Sequence, residues 1–524
     1  MFEDFHLNNN DKKYLLTVLI FSTALVGYYI YFNVNLGIYC SDVYVYLLNA
    51  LHFAGDYINY PFQIYLSPVI CFLTSLLFRL GMVDKIAIFI VTGVFAIIGN
   101  IGLYILLRRY FDEIMSLSGV ILYTTFSLTL TWLANGTLDV PAVAITIWVA
   151  LIGIIAIKEN PKYYRYLFIL MVLAFYTRYT TMLILPALLL YYVYENGFKI
   201  KESDSKDIRQ GFILAILLFA VITIVVIVLG NGAFAFGEQF EGVVLNEESS
   251  HLDPAFNNDR YYYLENFAGF ISASHSIFEK NPELENPTAL SYIIFAIMAI
   301  ASVLWLKDVD KSNYKKFIIP AALFIIATVT FKLIPSMISI ILTLIGLYLL
   351  GKDSDNKVGY FMLGWVLSNL LFYSEYDIKV NRYIIPLFPP LVYFILRSVS
   401  IINEKIKINK NIIPVILIVV FAVQGFAFTM TVDVIHDYHN EEHVADYIID
   451  NNPDYEKIKI GVYNIRPYEW YLGHNITGIT KTNTTAIDES NVTYYISNSE
   501  LNNLNNYTKI KTIGEQYIYQ KTRF

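Results

Sequence analysis

The feature that most limits what this chain can become is an alternation of apolar runs, each near the ~20 residues a helix needs to cross a bilayer, with short charged clusters. Of its 524 residues 56% are hydrophobic and 15% charged, with a mean hydropathy of +0.50. That is more apolar surface than a soluble core buries, so a membrane must cover the remainder. The net charge of −7 sums loops of opposite character and gives no basis for a nucleic-acid partner. Asp4, Asp11, Lys12 and Lys13 precede the first run, and no small-residue cleavage site follows it; the sequence predicts an uncleaved anchor.

Loop charge orders the runs. Basic clusters stand at Arg108-Arg109, at Lys158, Lys162 and Arg165, at Lys199, Lys201, Lys206 and Arg209, and at Lys307, Lys311, Lys315 and Lys316. They continue at Lys352 and Lys357, and at Arg397, Lys405, Lys407 and Lys410, and all are expected to be cytoplasmic. A stretch flanked by two cytoplasmic loops holds an even number of spans. Tyr166 to Tyr194 is therefore predicted to be two short helices meeting near Arg178, and Phe317 to Leu350 two meeting near Lys332 and Pro335. Each charge then lies at the outer turn of a hairpin, where it avoids the several kcal/mol of a mid-bilayer position. Pro61 to Phe78 would invert every later loop if it crossed. Its polar residues Gln63, Ser67, Cys71 and Thr74/Ser75 form one helical stripe, which predicts a helix in the headgroup plane.

The expected fold is thus an α-helical polytopic membrane protein of about 13 transmembrane helices, N-terminus inside and C-terminus outside. Residues 1–430 are expected to form the membrane domain, with a first outer loop at 37–85 and a large acidic outer loop at 231–288. Residues 431–524 turn polar and are expected to form a small extracytoplasmic α/β domain. Its helix is placed at His439 to Ile449 and its strands at Ile458 to Tyr463, Val492 to Ser497 and Ile510 to Tyr519. Sequons at Asn475, Asn483, Asn491 and Asn506 agree with that address, weakly, because an Asn/Thr-rich tail makes such triplets by chance. Cys40 and Cys71 lie on the oxidising side, where a bridge can form, although cysteines in apolar segments more often just pack.

On this topology the chemistry-bearing residues collect at the outer face. Asp42, in Cys40-Ser41-Asp42, follows the first span, as a general base or as a solvated loop acid. Asp139 follows Asn135-Gly136-Thr137-Leu138, as a second site carboxylate or as a helix-capping acid. Arg178 and Arg382 stand alone at outer turns, suited to a phosphate or a carboxylate, or snorkelling to lipid headgroups. The large outer loop adds His251 and Arg260-Tyr261-Tyr262-Tyr263, where aromatic belts explain the tyrosines equally well.

In order and spacing these residues resemble the GT-C glycosyltransferases that use polyprenyl-phosphate sugars. The likeness is to the branch holding protein mannosyltransferases and the lipid A aminoarabinose transferase. The resemblance rests on Asp42 after the first span, Gly55 and Tyr60-Pro61, and Phe78-Arg79-Leu80-Gly81. It continues through Leu106-Leu107-Arg108-Arg109-Tyr110-Phe111, Thr137-Leu138-Asp139, Arg178, and Arg382-Tyr383-Ile384-Ile385-Pro386-Leu387-Phe388-Pro389. Val43 departs from it, since protein mannosyltransferases usually place a glutamate directly after the first acid, and this counts against a protein acceptor.

The resemblance implies an inverting transferase in the plasma membrane that moves a sugar from a polyprenyl- or dolichyl-phosphate donor to a hydroxyl of a glycan, lipid or protein. Asp42 and Asp139 are the expected catalytic residues, and Arg178, Arg382 and Arg260 the donor-phosphate ligands. His251, Tyr263 and Tyr383 are further candidates. A divalent metal is left open, because Asp42, Asp139 and His251 offer ligands without a metal-site spacing. The rival is a lipid or glycan transporter or flippase, although neither half-repeats nor broken mid-membrane helices are evident.

Overall fold

The computed structural model describes residue 5 and residues 7–56, 62, 68–229, 259–278, 282–307, 315–330, 333–376, 378–407, 409–473 and 476–522. His251, Tyr60, Pro61, Gln63, Ser67, Lys332 and Asn475 lie outside them.

The helices in chain order are α1 (Asp11–Leu36), α2 (Ser41–Ala54), α3 (Pro68–Arg79), α4 (Lys85–Arg108), α5 (Glu113–Thr125), α6 (Ser127–Thr131) and α7 (Asp139–Lys158). Next come α8 (Tyr164–Thr177), α9 (Leu185–Asn196), α10 (Glu202–Leu229), α11 (Ala289–Lys307), α12 (Lys315–Val329) and α13 (Ser336–Gly351). The bundle closes with α14 (Lys357–Glu375), α15 (Phe388–Ile406) and α16 (Ile412–Met430). Setting aside α2, α3, the short α6 and two helices of one turn each, Tyr262–Glu265 and Phe267–Ile271, thirteen helices between α1 and α16 remain among the described residues. Among the described residues, seven segments are long and apolar enough to cross a membrane by themselves. The shorter helices occur where hairpins were expected. A 3₁₀ turn (Tyr179–Ile184) joins α8 to α9 beside Arg178, and α12 and α13 meet ahead of Pro335. The chain is a multi-pass membrane protein, and the exposed Phe212, Ile216, Leu217, Val221, Ile224 and Val228 of α10 form a face suited to lipid.

Ion pairs gather the expected basic clusters at one end of the bundle. Arg108 binds Asp11 at 2.7 Å and Glu113 at 2.8 Å, Arg165 binds Asp207 at 2.5 Å, and Arg109 pairs with Glu159. Lys357 reaches Glu195 at 3.5 Å and Lys410 reaches Asp112 at 3.4 Å.

At the opposite end α2 and α3 pack together. α3 has 12 residues, too few to cross. Its polar stripe is a correction to the sequence reading: Cys71, Thr74 and Ser75 are buried, while Phe72 and Leu76 are exposed. The hydroxyls are satisfied within the helix, Thr74 Oγ1 donating to the Ile70 carbonyl and Ser75 Oγ to that of Phe72, so they need no water. Cys40 and Cys71 are not joined in a disulfide.

Two small sheets lie at this end. Strands β1 (Ala273–Phe278) and β2 (Glu283–Pro287) pair antiparallel, and β3 (Val432–Val434), just past α16, adds to β1 in parallel. The tail then folds as α17 (Asn440–Asn451), β4 (Ile460–Val462), α18 (Ile465–Leu472), β5 (Ile476–Gly478), α19 (Thr484–Glu489), β6 (Tyr494–Ser497), β7 (Tyr507–Ile513) and β8 (Gln516–Lys521). The sheet order is β5-β4-β6-β8-β7, with β5, β4 and β6 parallel. The single strand expected over Ile510 to Tyr519 is instead the β7–β8 hairpin. Its two-residue turn is Gly514-Glu515, where Gly514 takes φ +52°, a left-handed conformation that a side chain disfavours.

Candidate functional site

α7 begins at Asp139, and the turn that delivers it is built by backbone geometry. Gly136 holds φ +88°, and a Cβ there would meet Val43 Cγ1 of α2 at 2.8 Å and Ile88 Cγ2 of α4 at 3.1 Å. This close approach joins the start of α7 to the helix that carries Asp42. Asn135 Oδ1 accepts from the backbone N–H and the hydroxyl of Thr137, and its amide donates to Tyr39 Oη at 2.5 Å. Tyr39 in turn donates to the Thr131 carbonyl. The segment before α2 is therefore fixed to the segment before α7.

Four residues named from the sequence meet here. Arg178, extended between α8 and the 3₁₀ turn, places Nη1 2.5 Å from Asp139 Oδ1. Arg382, in the 3₁₀ turn Asn381–Leu387 that leads into α15, places Nη2 2.7 Å from Asp42 Oδ2 and Nε 3.5 Å from Asp139 Oδ2. Asp139 thus lies between two guanidiniums. Its side chain is 3% exposed, those of Arg178 and Arg382 are 18% and 11%, and that of Asp42 is 37%. Asp139 accordingly does not act as an exposed capping acid: the cap position is Leu138, and the carboxylate is directed into the ion cluster.

Aromatic rings line the cluster. Arg178 lies 4.9 Å from the centroid of the Tyr383 ring, and Arg382 lies 5.1 Å from that of Trp132 and 5.9 Å from that of Tyr383. Tyr383 stacks on Tyr373 at 5.4 Å. Weakly hydrated guanidiniums suit such surroundings, because ring faces favour cations while excluding water. The turn that carries Arg382 is tied down by Asn381, which accepts from Trp132 Nε1 at 2.9 Å and donates to the Pro282 carbonyl at 2.8 Å.

Tyr263 is fully buried and donates to the Val380 carbonyl at 3.1 Å, so it supports the Arg382 turn from behind. Arg260 lies over the Tyr261 ring at 5.2 Å from its centroid. Among the described residues no group of three or more His, Cys, Asp or Glu stands together to hold a metal, and both site carboxylates face guanidiniums.

Two contributors escaped the sequence reading. Cys40 accepts from Arg382 Nη1 at 2.7 Å; burial pushes its thiol pKa up, with Arg382 opposing that shift. Trp132, which the sequence reading did not name, is buried with its ring under Arg382. Only the Trp-X-X-Asn-Gly-Thr run ahead of Asp139 signals that Trp132 stands near a polar turn.

The C-terminal region braces the segment that bears Asp42. A parallel bridge joins Gly37 to Tyr438, and His439 Nε2 lies 3.2 Å from the Val34 carbonyl. Lys85 binds Glu442 at 2.5 Å, Trp470 stacks on Phe78 at 5.8 Å, and Tyr471 meets Tyr44 edge to face at 5.9 Å.

With this geometry established, comparison with known proteins is informative. Residues 66–228, less than half of the chain, match the family model described as dolichyl-phosphate-mannose-protein mannosyltransferase. No curated protein sequence matches the chain. Among solved structures, ArnT from Cupriavidus metallidurans bound to undecaprenyl phosphate superposes with a TM-score of 0.59 at 10% identity, over 95% of this chain and 97% of that one. Its apo form superposes with a TM-score of 0.56 at 10% identity, over 98% of each chain. The chain has the fold of the GT-C glycosyltransferases over nearly its whole length.

Proposed function

Proceeding from a GT-C fold, we propose that this protein transfers a sugar from a polyprenyl-phosphate donor to an acceptor hydroxyl, with inversion, at the outer face of the plasma membrane. Residues 1–430 are the catalytic membrane domain and 431–524 an extracytoplasmic domain; the N-terminus is cytoplasmic. The observation that carries the reading is the cluster itself, in which two largely covered arginines are braced by a buried carboxylate beside one partly exposed acid. The bound undecaprenyl phosphate of the ArnT structure makes a lipid phosphate the natural donor group for this fold.

In this scheme the acceptor oxygen bonds to the anomeric carbon as the bond from that carbon to the phosphate oxygen breaks. The hydroxyl proton passes to Asp42, and the lipid phosphate leaves with the electron pair. Attack opposite the leaving group inverts the centre. Arg178 uses Nη1 on Asp139 and Nε on Thr180, and a guanidinium has five N–H donors, so it retains capacity for the phosphate. Arg382, engaged with Cys40, Asp42 and Asp139, supplies charge and also orients the base. Asp139 is a positioning residue that holds the two cations together. A preorganised donor of this kind is worth about 10² to 10³ in rate.

The test is turnover of a radiolabelled polyprenyl-phosphate sugar by membranes carrying the protein. Asp42→Asn should abolish transfer at unchanged protein abundance. Full activity in that variant removes Asp42 from the chemistry, and absence of turnover by the unaltered protein across mannose, glucose and aminoarabinose donors would favour the transporter reading.

A further inference from the structure

In the C-terminal domain β4, β5 and β6 run parallel, with β4 between the other two. Successive connections leave opposite faces of this sheet. After β4 the chain enters α18, whose Tyr468 and Leu472 pack with Ile460, Val462 and Ile496 on one face. After β5 it enters α19, whose Ile487 packs with Val492, Tyr495 and Tyr519 on the other. The chain beyond β6 also turns to this second face, where Leu501 and Leu504 pack with Tyr495 and Tyr519, so the carboxyl ends of β4 and β6 flank the topological switch point, with the end of β5 beside them. Open parallel sheets bind ligands in the crevice at such points.

The residues delivered to that crevice are not packing residues. Tyr463 follows β4 and is 47% exposed, unusual for a large ring in a domain whose other tyrosines are largely covered. Asn464 beside it is exposed, and Thr480, after β5, is exposed as well. Lys481 Nζ lies 5.1 Å from the centroid of the Tyr463 ring and donates to Asn498 Oδ1 at 3.0 Å, just beyond β6. One ammonium thus links the ends of all three parallel strands and holds the ring and the amide in fixed relation.

We propose that this crevice is a saccharide-binding site, with Tyr463 as the platform for a pyranose face and Asn464, Lys481 and Asn498 as hydrogen-bond partners for its hydroxyls. The chemistry favours a sugar over a nucleotide. Phosphate sites at such switch points need glycines that let backbone N–H groups approach, and the turn after β4 is Tyr463-Asn464-Ile465-Arg466, without a glycine. An amphipathic ring with amide and ammonium donors is suited instead to a neutral polyhydroxylated ligand. That this site supplies the acceptor glycan rests on the transferase reading; saccharide binding itself does not.

Calorimetric titration of the full-length protein in detergent with hexasaccharides of glucose, mannose and N-acetylglucosamine tests the proposal. At least one should bind, and Tyr463→Ala and Lys481→Ala should each weaken it about tenfold or more, equivalent to ~1.4 kcal/mol. Tyr463→Phe, which keeps the ring, should retain binding, separating the platform from any folding defect. Asp42→Asn should bind as tightly as the unaltered protein, so loss of transfer and loss of this site are read separately. Failure of all three sugars to bind, or binding that both alanine variants leave unchanged, overturns the proposal.

Discussion

Replacing Asp139 with asparagine removes one of four charges that cancel. Asp42 and Asp139 carry two negative charges, Arg178 and Arg382 two positive, and only Asp42 is appreciably exposed. Asp139 contacts both cations, through Oδ1 at 2.5 Å and Oδ2 at 3.5 Å. Its neutralisation therefore leaves an uncompensated positive charge among rings and buried backbone, for which removal of one partner of a buried pair typically costs about 3–5 kcal/mol. Asp42→Asn breaks a pair that is 37% exposed on the acid side, where solvent screening reduces the worth of such a pair to about 0–1 kcal/mol. The two substitutions are chemically identical and should separate cleanly. In detergent micelles at a fixed scan rate, Asp139→Asn should lower the apparent Tm by about 3 to 5 °C, and Asp42→Asn should leave it nearly unchanged. The double variant Asp139→Asn/Arg178→Gln restores neutrality and should recover part of that loss without recovering transfer. Equal stability of Asp139→Asn and the unaltered protein, or equal destabilisation by both single substitutions, would refute the assignment of a bracing role to Asp139 and a solvent-facing role to Asp42.

Arg178→Ala should raise the donor concentration needed for half-maximal transfer or reduce turnover by about 10² to 10³, measured with radiolabelled donor across a concentration series. Gly37→Ala should lower turnover and thermal stability together, because at φ +89° a Cβ would stand 2.6 Å from the Tyr438 carbonyl oxygen and push the C-terminal brace off the segment leading to Asp42. Glu441 has its pKa raised by burial, with Asp437 and Glu515 adding to the effect. The folded state thus holds this proton more tightly than the unfolded chain, and the stabilisation is present below the ordinary glutamate range and lost as pH rises through the raised value. Glu441→Gln should therefore raise the apparent Tm at neutral pH and leave it unchanged in acid, measured as a pH series of melting curves.

The sequence carried the hairpins because the parity of basic loops is an electrostatic constraint that acts along the whole chain. Two helices meeting at Arg178 were the only even solution that kept a guanidinium out of hydrocarbon, and α8 and α9 do meet there. For the same reason Asp42, Asp139, Arg178 and Arg382 were legible as candidates: each is a charge at a point where the hydropathy changes. Periodicity, in contrast, reports that a helix has two faces and not which face the protein covers. The stripe of Cys71, Thr74 and Ser75 was taken for the polar side of a helix in the headgroup plane for that reason, whereas hydroxyls that bond back to their own helix can be buried at little cost. Strand-like composition likewise carries no register, so the β7–β8 hairpin was read as one strand, with Gly514 the sole hint of a reversal.

Pairing within the site was illegible for a different reason. Arg382 stands 340 residues from Asp42 and 342 from Cys40, and nothing local distinguishes a guanidinium that will meet a carboxylate from one that will meet a lipid headgroup. The distinction arises only when the Asn381–Leu387 turn is anchored through Asn381 to Trp132 and to the Pro282 carbonyl. The rigidity of the site is therefore a property of the neutral residues around it: Gly136, Asn135, Trp132 and Asn381 fix the backbone from which the charges project. Substituting these residues should scatter the four charges while leaving each chemically intact, which makes them the residues on which a preorganised site depends.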